Sequence, residues 1–258
     1  MEDRALHGET EELWRLPTAP IALVALVAGA FLVGSGGTEG AAGATLGRSV
    51  EDRPITVVRR GDPRARTRVL VVGSIHGDEP GGLVVARRLM RRPAPSGIRF
   101  WVVPTFNPDG LARGTRQNAR GVDRNRNFPV RWRAQGARGS TFYSGPRALS
   151  EPESRLAARL IRRLRPAVTI WLHQPFSLVD AGSGADPRLV RLYARSAGLP
   201  VRAISATLPG IATRWQNRRV AGTSAFVVEL AAGRVSPAVA SRHVRAIRLV
   251  ASRAASRA

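Results

Sequence analysis

The sequence predicts an α/β protein with a mixed, mostly parallel central sheet and helices on both faces. From about residue 53, short apolar runs rich in Val and Ile alternate with segments that have helical periodicity. Three of these runs end in His or Glu side chains or lead directly into them. Alternation of this kind is typical of a sheet that is covered by helices on both faces. We find no internal repeat.

Apolar runs bounded by turn residues predict the strands. The turn Gly61-Asp62-Pro63 separates the first two of them. The predicted strands are ITVVRR, RVLVVGS, IRFWVVP (Ile98 to Pro104), AVTIWL, which ends at His173, and SAFVVEL (Ser224 to Leu230).

Helices are predicted between these strands. The pair Ser150 and Glu153 forms an S-x-x-E capping box, which predicts a helix that runs to about Leu164. A long polar loop rich in Asn, Arg and Gly precedes it. The other predicted helices are about Pro80 to Arg92, Pro187 to Ala197, and an amphipathic Arg-rich helix after Ser236.

Composition limits the chemistry. The 258 residues are 43% hydrophobic and 23% charged, which is a globular profile. There is no Cys, so disulfides, thiolate metal sites and thiol nucleophiles are excluded, and a metal requires His, Asp or Glu. The formal net charge is +23, and every basic residue is Arg. The absence of Lys points first to codon bias, and attraction to an anionic surface or polymer is the alternative. No motif supports nucleic-acid binding.

The N-terminal part predicts export. Residues 1–17 form a polar tail, and residues 18–35 contain an uncharged apolar run that fits a signal peptide or a membrane anchor. A buried core helix is the alternative for this run. Residues 36–52 are a Gly/Ala-rich linker with a possible cleavage site at Ala42-Gly43-Ala44. Residues 53–258 then form the domain that carries the chemistry. We expect an extracytoplasmic protein, secreted or anchored to the membrane.

Polar residues at the strand ends suggest a metal site. His76 and Glu79 follow one apolar run directly, and His173 ends another. Functional groups of such sheets gather at the carboxyl ends of the strands. Two His and one Glu with an open fourth position form a catalytic zinc arrangement. Each feature alone has an ordinary explanation, because any helix start can carry His-x-x-Glu and strand-end histidines are often structural. His7 and His243 are unattractive as ligands.

The loop between these residues adds specific motifs. HGDE, NPDG, GVDRNRNFP and VVEL together resemble the zinc carboxypeptidase family, in particular its bacterial members close to the murein peptide amidases. The resemblance covers roughly residues 57–233. It implies a zinc carboxypeptidase-like fold with a catalytic domain over residues 53–258.

The resemblance also implies roles for individual residues. One Zn²⁺ per chain would be bound by His76, Glu79 and His173, and Glu229 would be general base and then general acid. Asn125 and Arg126 would bind a substrate carboxylate, for which the Arg fork is suited. Arg116 is the expected oxyanion stabiliser and Arg120 its competitor. We expect Asp123 to orient the loop. The loop residues Arg113 and Arg124 are expected to be surface charge.

Two departures from the family concern specificity. Gln174 follows the third metal ligand, where the family usually has Ser. The family's carboxypeptidases also use a Tyr shortly before the catalytic Glu. Here the only tyrosines are Tyr143 and Tyr193, and the segment contains Trp215, which we expect to line the pocket.

Three functional hypotheses follow. The first is a zinc-dependent amidase or carboxypeptidase that acts on cell-wall peptides with a free carboxylate. The second is a zinc deacylase of N-acyl amino acids, and the third is an inactive module that binds anionic polymer. The expected partners are a peptide or peptidoglycan fragment and, through the N-terminal segment, a membrane. Nucleic acid is not expected, and the oligomeric state is open.

Overall fold

The computed structural model describes residues 43–256, so the predicted tail, the apolar segment and most of the linker lie outside the described residues. The elements in chain order are β1 (Ala44–Arg48), β2 (Pro54–Arg60), β3 (Thr67–Val72), α1 (Gly81–Met90), β4 (Ile98–Val103), α2 (Pro108–Arg113), α3 (Pro152–Leu164), β5 (Val168–His173), β6 (Phe176–Asp180), α4 (Pro187–Ala197), β7 (Val201–Arg202), α5 (Ala212–Arg219), β8 (Ser224–Ala231) and α6 (Pro237–Ala255).

The sheet has eight strands in the order β1-β2-β4-β3-β5-β8-β6-β7. Its centre, β4-β3-β5-β8, is parallel, whereas β2 and β6 pair with this centre in the antiparallel direction. The prediction of a mixed, mostly parallel sheet is therefore confirmed. The central strands are buried on both faces, which explains why their sequences are nearly continuous apolar runs.

Two hydrophobic clusters cover the sheet. One face packs against α1, α4 and α6, with Phe100 and Phe226 at its centre. The other face packs against α3, α5 and the long loop, with Trp171 and Phe128 at its centre. Within the described residues, no helix is both long enough and apolar enough to cross a membrane.

The linker boundary needs a correction. Residues 44–48 fall within the predicted linker, but they form β1, which pairs antiparallel with β2 from Ala44 to Arg48. Ala44 and Leu46 also pack against the second hydrophobic cluster. The folded domain therefore begins before residue 53, because a short strand of small residues contributes backbone pairing that apolar periodicity does not reveal.

The predicted capping box is wrong, although the helix itself ends at Leu164 as expected. The N-cap of α3 is Glu151, and no side chain caps it. The Ser150 hydroxyl instead donates to Glu151 Oε1 at 2.7 Å. Glu153 accepts from the backbone N–H of Val50 at 3.1 Å. The Ser150 hydroxyl also accepts from Asn127 Nδ2 at 2.9 Å, so both side chains make long-range contacts, which local sequence cannot show.

Candidate metal and catalytic site

The structure brings His76, Glu79 and His173 together at the carboxyl ends of β3 and β5. All three residues are buried, and their ligand atoms lie within 4.8 Å of one another. Glu79 Oε1 is 2.8 Å from His76 Nδ1, and Glu79 Oε2 is 3.0 Å from His173 Nδ1. The two imidazole rings stand edge to face at a centroid distance of 4.8 Å. Both histidines therefore turn their Nδ1 atoms toward the same carboxylate.

Glycine allows the His76 turn to approach the NPDG segment. A Cβ on Gly77 would lie 2.0 Å from the backbone carbon of Gly110, so only Gly fits there. Asn107 caps α2 by accepting from the Gly110 N–H at 2.9 Å, and its amide donates to the backbone oxygens of Arg116 and Gln117. The NPDG motif thus holds Arg116 beside the cluster of His76, Glu79 and His173.

Asp123 contacts both its own loop and the His76–Glu79–His173 cluster. In the loop, its Oδ1 accepts from the Asn125 N–H at 2.8 Å, which agrees with the expected loop-orienting role. Its Oδ1 is 3.0 Å from His76 Nε2, and its Oδ2 accepts from Arg116 Nε at 3.1 Å. Burial raises the pKa of Asp123, but Arg116 and His76 outweigh burial, and the pKa lies well below its usual range. An ionised Asp123 favours a proton on His76 Nε2, which leaves the Nδ1 lone pair on the side of Glu79.

Glu79 is also held as an anion. Burial alone would raise its pKa, but His76 and His173 outweigh burial, so the pKa falls well below the normal value. Arg116 donates to Glu79 Oε1 at 2.9 Å. A buried carboxylate and two imidazoles with convergent Nδ1 atoms are the donor set of a catalytic zinc site, and one of the imidazoles is oriented by a second carboxylate. The residues present therefore fit a zinc ion.

Glu229 lies on β8 opposite His173 of β5. The residue is 6% exposed, and its Oε2 has no hydrogen-bond partner among the described residues. Burial is the main cause that raises the pKa of Glu229, to about 7. A carboxylate with this pKa is suited to take up and release a proton near neutral pH.

The two loop arginines that face the site differ in their partners. Arg116 is paired with Glu79 and Asp123. Arg126 is 3% exposed; its guanidinium donates to the backbone oxygen of Asn125, and its Nε has no partner in residues 43–256. Phe142 is close to both, because its ring centroid lies 5.6 Å from Arg116 Cζ and 5.1 Å from Arg126 Cζ. Burial lowers the pKa of Arg126, so an anionic ligand would restore the stabilisation that this cation lacks.

Three expectations about the site need correction. Arg120 is half exposed and lies 3.9 Å from Glu151, so it is outside the cluster, whereas Arg116 contacts Glu79 within it. Trp215 does not line a pocket, because it is 1% exposed and packs on Phe128 at 5.4 Å in the core. Trp215 lies on α5, a helix that the sequence does not predict, and on that helix its side chain points into the core.

Arg124 is the third correction, because it is not surface charge. It is 1% exposed, and burial lowers its pKa to about 10, partly opposed by nearby carboxylates. Its guanidinium donates to the Phe106 carbonyl oxygen. The nearby buried carboxylates are Asp109, Asp123, Glu151 and Glu153. The prediction for Arg113 is confirmed, because that residue is exposed and pairs with Glu51.

The departure at Gln174 has a structural role. Its Oε1 accepts from the Gly81 N–H at the start of α1 at 2.7 Å. Its Nε2 donates to the backbone oxygens of Ala231, the last residue of β8, and Gly233, just beyond it, at 2.6 and 2.9 Å. Gln174 thus connects the segments that carry Glu79, His173 and Glu229. Tyr193 is buried on α4, where its hydroxyl lies 2.9 Å from His243 Nδ1, so neither residue belongs to the site.

Comparison with known proteins agrees with this geometry. The zinc carboxypeptidase family profile matches residues 42–179, more than half of the chain. Murein peptide amidase A of Escherichia coli strain K12 is 34% identical over 161 residues, which cover 57% of this chain and 64% of that relative. The chain thus aligns with less than two thirds of the relative's length.

Solved structures of the family have the same fold. The crystal structure of murein-tripeptide amidase MpaA from Escherichia coli O157 matches with a TM-score of 0.67 and 25% identity, covering 81% of this chain and 91% of that one. Carboxypeptidase A from Helicoverpa armigera matches with a TM-score of 0.69 at 22% identity, over 84% and 69% of the two chains, and supports the fold alone. With its His76–Glu79–His173 cluster in place, this chain belongs to the zinc carboxypeptidase family.

Proposed function

We propose that the protein is a zinc-dependent peptide hydrolase that cleaves cell-wall peptides next to a free carboxylate, as an amidase rather than a general carboxypeptidase. The observation that carries the proposal is the alignment of Glu229 with His173 across β5 and β8, beside convergent histidine Nδ1 atoms. The similarity to murein peptide amidases supports the substrate class.

In this proposal, His76, Glu79 and His173 hold one Zn²⁺. The ion, when bound, supplies a Lewis acid that polarises the scissile carbonyl and lowers the pKa of a water molecule. Glu229 Oε2 accepts a proton from the attacking water, whose oxygen forms the new bond to the carbonyl carbon. The protonated Glu229 then donates that proton to the leaving nitrogen as the C–N bond breaks.

Arg116 and Arg126 have different roles in this proposal, one in catalysis and the other in substrate binding. Arg116 is anchored by Asp123 and Glu79, so its guanidinium is already oriented to stabilise the negative charge that develops on the carbonyl oxygen. Arg126 is buried and has no carboxylate partner in the described residues, so it binds the substrate carboxylate with Asn125 beside it. The Asn125 Oδ1 is occupied by the Ala212 N–H at 3.1 Å, which leaves its amide N–H group as the donor.

The hypothesis of an amidase rests on the tyrosine that carboxypeptidases of this family use and that the corresponding segment of this chain lacks. Tyr193 is in the core, and Trp215, the aromatic residue in the segment before Glu229, is also buried. A carboxypeptidase of this family uses a tyrosine in that segment, so we propose that this chain recognises its substrate differently. The deacylase and the inactive polymer-binding module are the alternatives that the experiment tests.

The test is incubation of the purified protein with peptidoglycan fragments, followed by mass analysis of the products with and without chelator. We expect cleavage of one amide bond per stem peptide, and its loss with chelator. Parallel reactions contain peptides with an aliphatic C-terminal residue and simple N-acyl amino acids. Faster turnover of either substrate identifies a carboxypeptidase or a deacylase, and no turnover of any of them supports the inactive module.

We also propose an extracytoplasmic location, exported by the apolar segment of residues 18–35, which lies outside the described residues. The nature of the proposed substrate supports this location. N-terminal sequencing of the protein recovered from membrane and extracellular fractions tests it. An intact N-terminus in the cytoplasmic fraction alone would contradict it.

A further inference from the structure

The helix layer on one face of the sheet has an unusual distribution of charge. Helices α1, α4 and α6 contain no Asp or Glu at all. They carry two arginines on α1, three on α4 and four on α6. Asp186 is the N-cap of α4. On the opposite face, α3 contains Glu153 and has Glu151 as its N-cap. Codon bias would account for Arg in place of Lys, but it would not account for the absence of acidic residues within these three helices.

A groove between α4 and α6 concentrates this charge. The groove has a volume of about 300 Å³ and is lined by Arg188, Arg191, Leu192, Arg195 and Arg253. No carboxylate lines it, and none of the ion pairs in the described part of the chain involves these arginines. We call this feature the arginine groove.

The arginine groove is unfavourable for the helix that forms most of it. Arg188, Arg191 and Arg195 are spaced three and four residues apart, so they form one stripe on α4 and repel one another. Arg188 also lies in the first turn of α4, where the helix dipole disfavours a cation. All three are exposed, so packing does not require them. An anion bound in the groove would remove the repulsion.

We propose that the arginine groove binds the phosphate groups of a linear polyanion. Guanidinium forks from two helices can hold a phosphate by paired, charge-assisted hydrogen bonds. A volume of about 300 Å³ is at the lower end of ligand pockets, so it fits one phosphate group and its substituents. Arg245 and Arg248 on α6 extend the basic surface along the same layer, and this extension suits a repeating ligand.

Two other phosphate-bearing partners fit the surface less well. The aromatic residue on these three helices is Tyr193, which is buried, so the layer offers no platform on which a nucleic-acid base could stack. Leu192, the apolar residue that lines the groove, is only partly exposed, so the groove itself offers no apolar side chain to a lipid bilayer. Leu249 on α6 and Val84 on α1 are exposed on the same layer but do not line the groove, and the vesicle experiment below tests whether they matter. The proposal does not depend on the hydrolytic function, because the groove residues are separate from the metal cluster.

The test compares two variants of the full chain that lose the same charge. Arg191→Gln/Arg195→Gln removes half of the arginine groove, whereas Arg159→Gln/Arg163→Gln removes two exposed arginines from α3 on the opposite face. Binding to labelled inorganic polyphosphate of defined length is measured by fluorescence anisotropy over a range of salt concentrations. Unfolding midpoints and peptide hydrolysis in solution are measured in parallel. Hydrolysis should stay at the wild-type value, and the unfolding midpoint of the groove variant should not fall below that of the wild type, because the substitutions remove repulsion along α4.

We expect the groove variant to lose roughly tenfold or more in affinity at low salt, with a salt slope that falls by about one for each arginine removed. The α3 variant should lose much less. Equal losses in the two variants would mean that net charge alone attracts the polymer, and would overturn the proposal.

Three further ligands test the class of partner. Polyglutamate of matched charge should bind more weakly than polyphosphate, and equal affinity would overturn the assignment to phosphate. Vesicles containing phosphatidylglycerol that bind more tightly than polyphosphate, and lose binding in the groove variant, would assign the groove to a membrane instead. An oligonucleotide that binds more tightly than polyphosphate with the same number of phosphates would show base recognition and would also overturn the proposal.

Discussion

His173 and Glu229 occupy paired positions on the neighbouring parallel strands β5 and β8. The two residues lie on the same face of the sheet, because paired residues of adjacent strands point to the same side. The proposed general base therefore stands beside a proposed metal ligand on a rigid part of the scaffold. This arrangement, together with the buried side chains of Arg126, Arg124 and His243, leads to five predictions.

The first prediction concerns Glu229. Glu229→Gln should retain zinc and substrate affinity but lose at least roughly a hundredfold in turnover, because the amide cannot accept the proton from water. Steady-state kinetics on a peptidoglycan stem peptide measures the change. Glu51→Gln, which alters a partly exposed carboxylate outside the site, is the control. Near-normal turnover in Glu229→Gln would show that Glu229 has no role in proton transfer.

The second prediction concerns the metal. The wild type should contain about one zinc per chain, and His173→Ala should lose it, because three protein ligands are the minimum of a catalytic zinc site. Metal analysis after gel filtration measures the content. Glu229→Gln is the control that should keep zinc. Stoichiometric zinc in His173→Ala would remove His173 from the site.

The third prediction concerns substrate recognition by Arg126. Arg126→Ala should raise KM strongly, because the variant loses a charge-assisted contact of about 1.5–3 kcal/mol. Amidation of the substrate carboxylate should harm the wild type to a similar extent. The two changes remove the same contact, so combining them should add little. Additive losses would place the carboxylate elsewhere, and Arg120→Ala, a change at an exposed arginine, is the control.

The fourth prediction concerns the buried cation Arg124. Arg124→Met should destabilise the protein by roughly 3 kcal/mol or more, because it leaves several buried carboxylates without their central positive charge. Urea unfolding measures the difference. Arg113→Met, at an exposed position, should change stability by about 0.5 kcal/mol or less. Similar small effects in both variants would mean that the carboxylates do not depend on Arg124.

The fifth prediction concerns pH and His243. Burial lowers the pKa of His243 to about 4, with a further contribution from Arg242. The unfolded chain has a His pKa near 6.5, so between these values the unfolded state binds a proton that the folded state does not. The contribution of His243 to the free energy of unfolding should therefore be fully present above pH 6.5. It should be lost as the pH drops toward 4, and the total loss should be about 3 kcal/mol.

Urea unfolding at pH 7 and pH 4.5 tests this dependence in two variants. His243→Gln should flatten the profile, because it removes the titrating group. Tyr193→Phe is the matched control, since it removes only the 2.9 Å contact with His243 Nδ1 and keeps the ring buried. If the pH dependence of unfolding is unchanged in His243→Gln, other titratable groups cause it.

The amino-acid sequence was sufficient to predict the central sheet and the three residues of the His76–Glu79–His173 cluster. The apolar runs of β3, β5 and β8 are buried on both faces, so their composition alone reveals them. The histidine and glutamate residues follow these runs directly, and parallel strands bring their carboxyl ends to one edge. With four histidines and no cysteine in the chain, few other nitrogen or sulfur ligands were available for a metal.

The positions of the loop arginines and of the short elements, in contrast, depend on long-range contacts in the folded protein. Arg124 and Arg120 stand in the same Arg-rich loop, yet one is 1% exposed and the other half exposed. The environment of each depends on distant carboxylates, such as Glu151 at the N-cap of α3 and Glu153 in its first turn, and not on its neighbours in sequence. Strand β1 likewise forms because its backbone pairs with β2 and because Ala44 and Leu46 pack against the second hydrophobic cluster. Long-range pairing and charge burial leave no local pattern, and for that reason they could not be predicted.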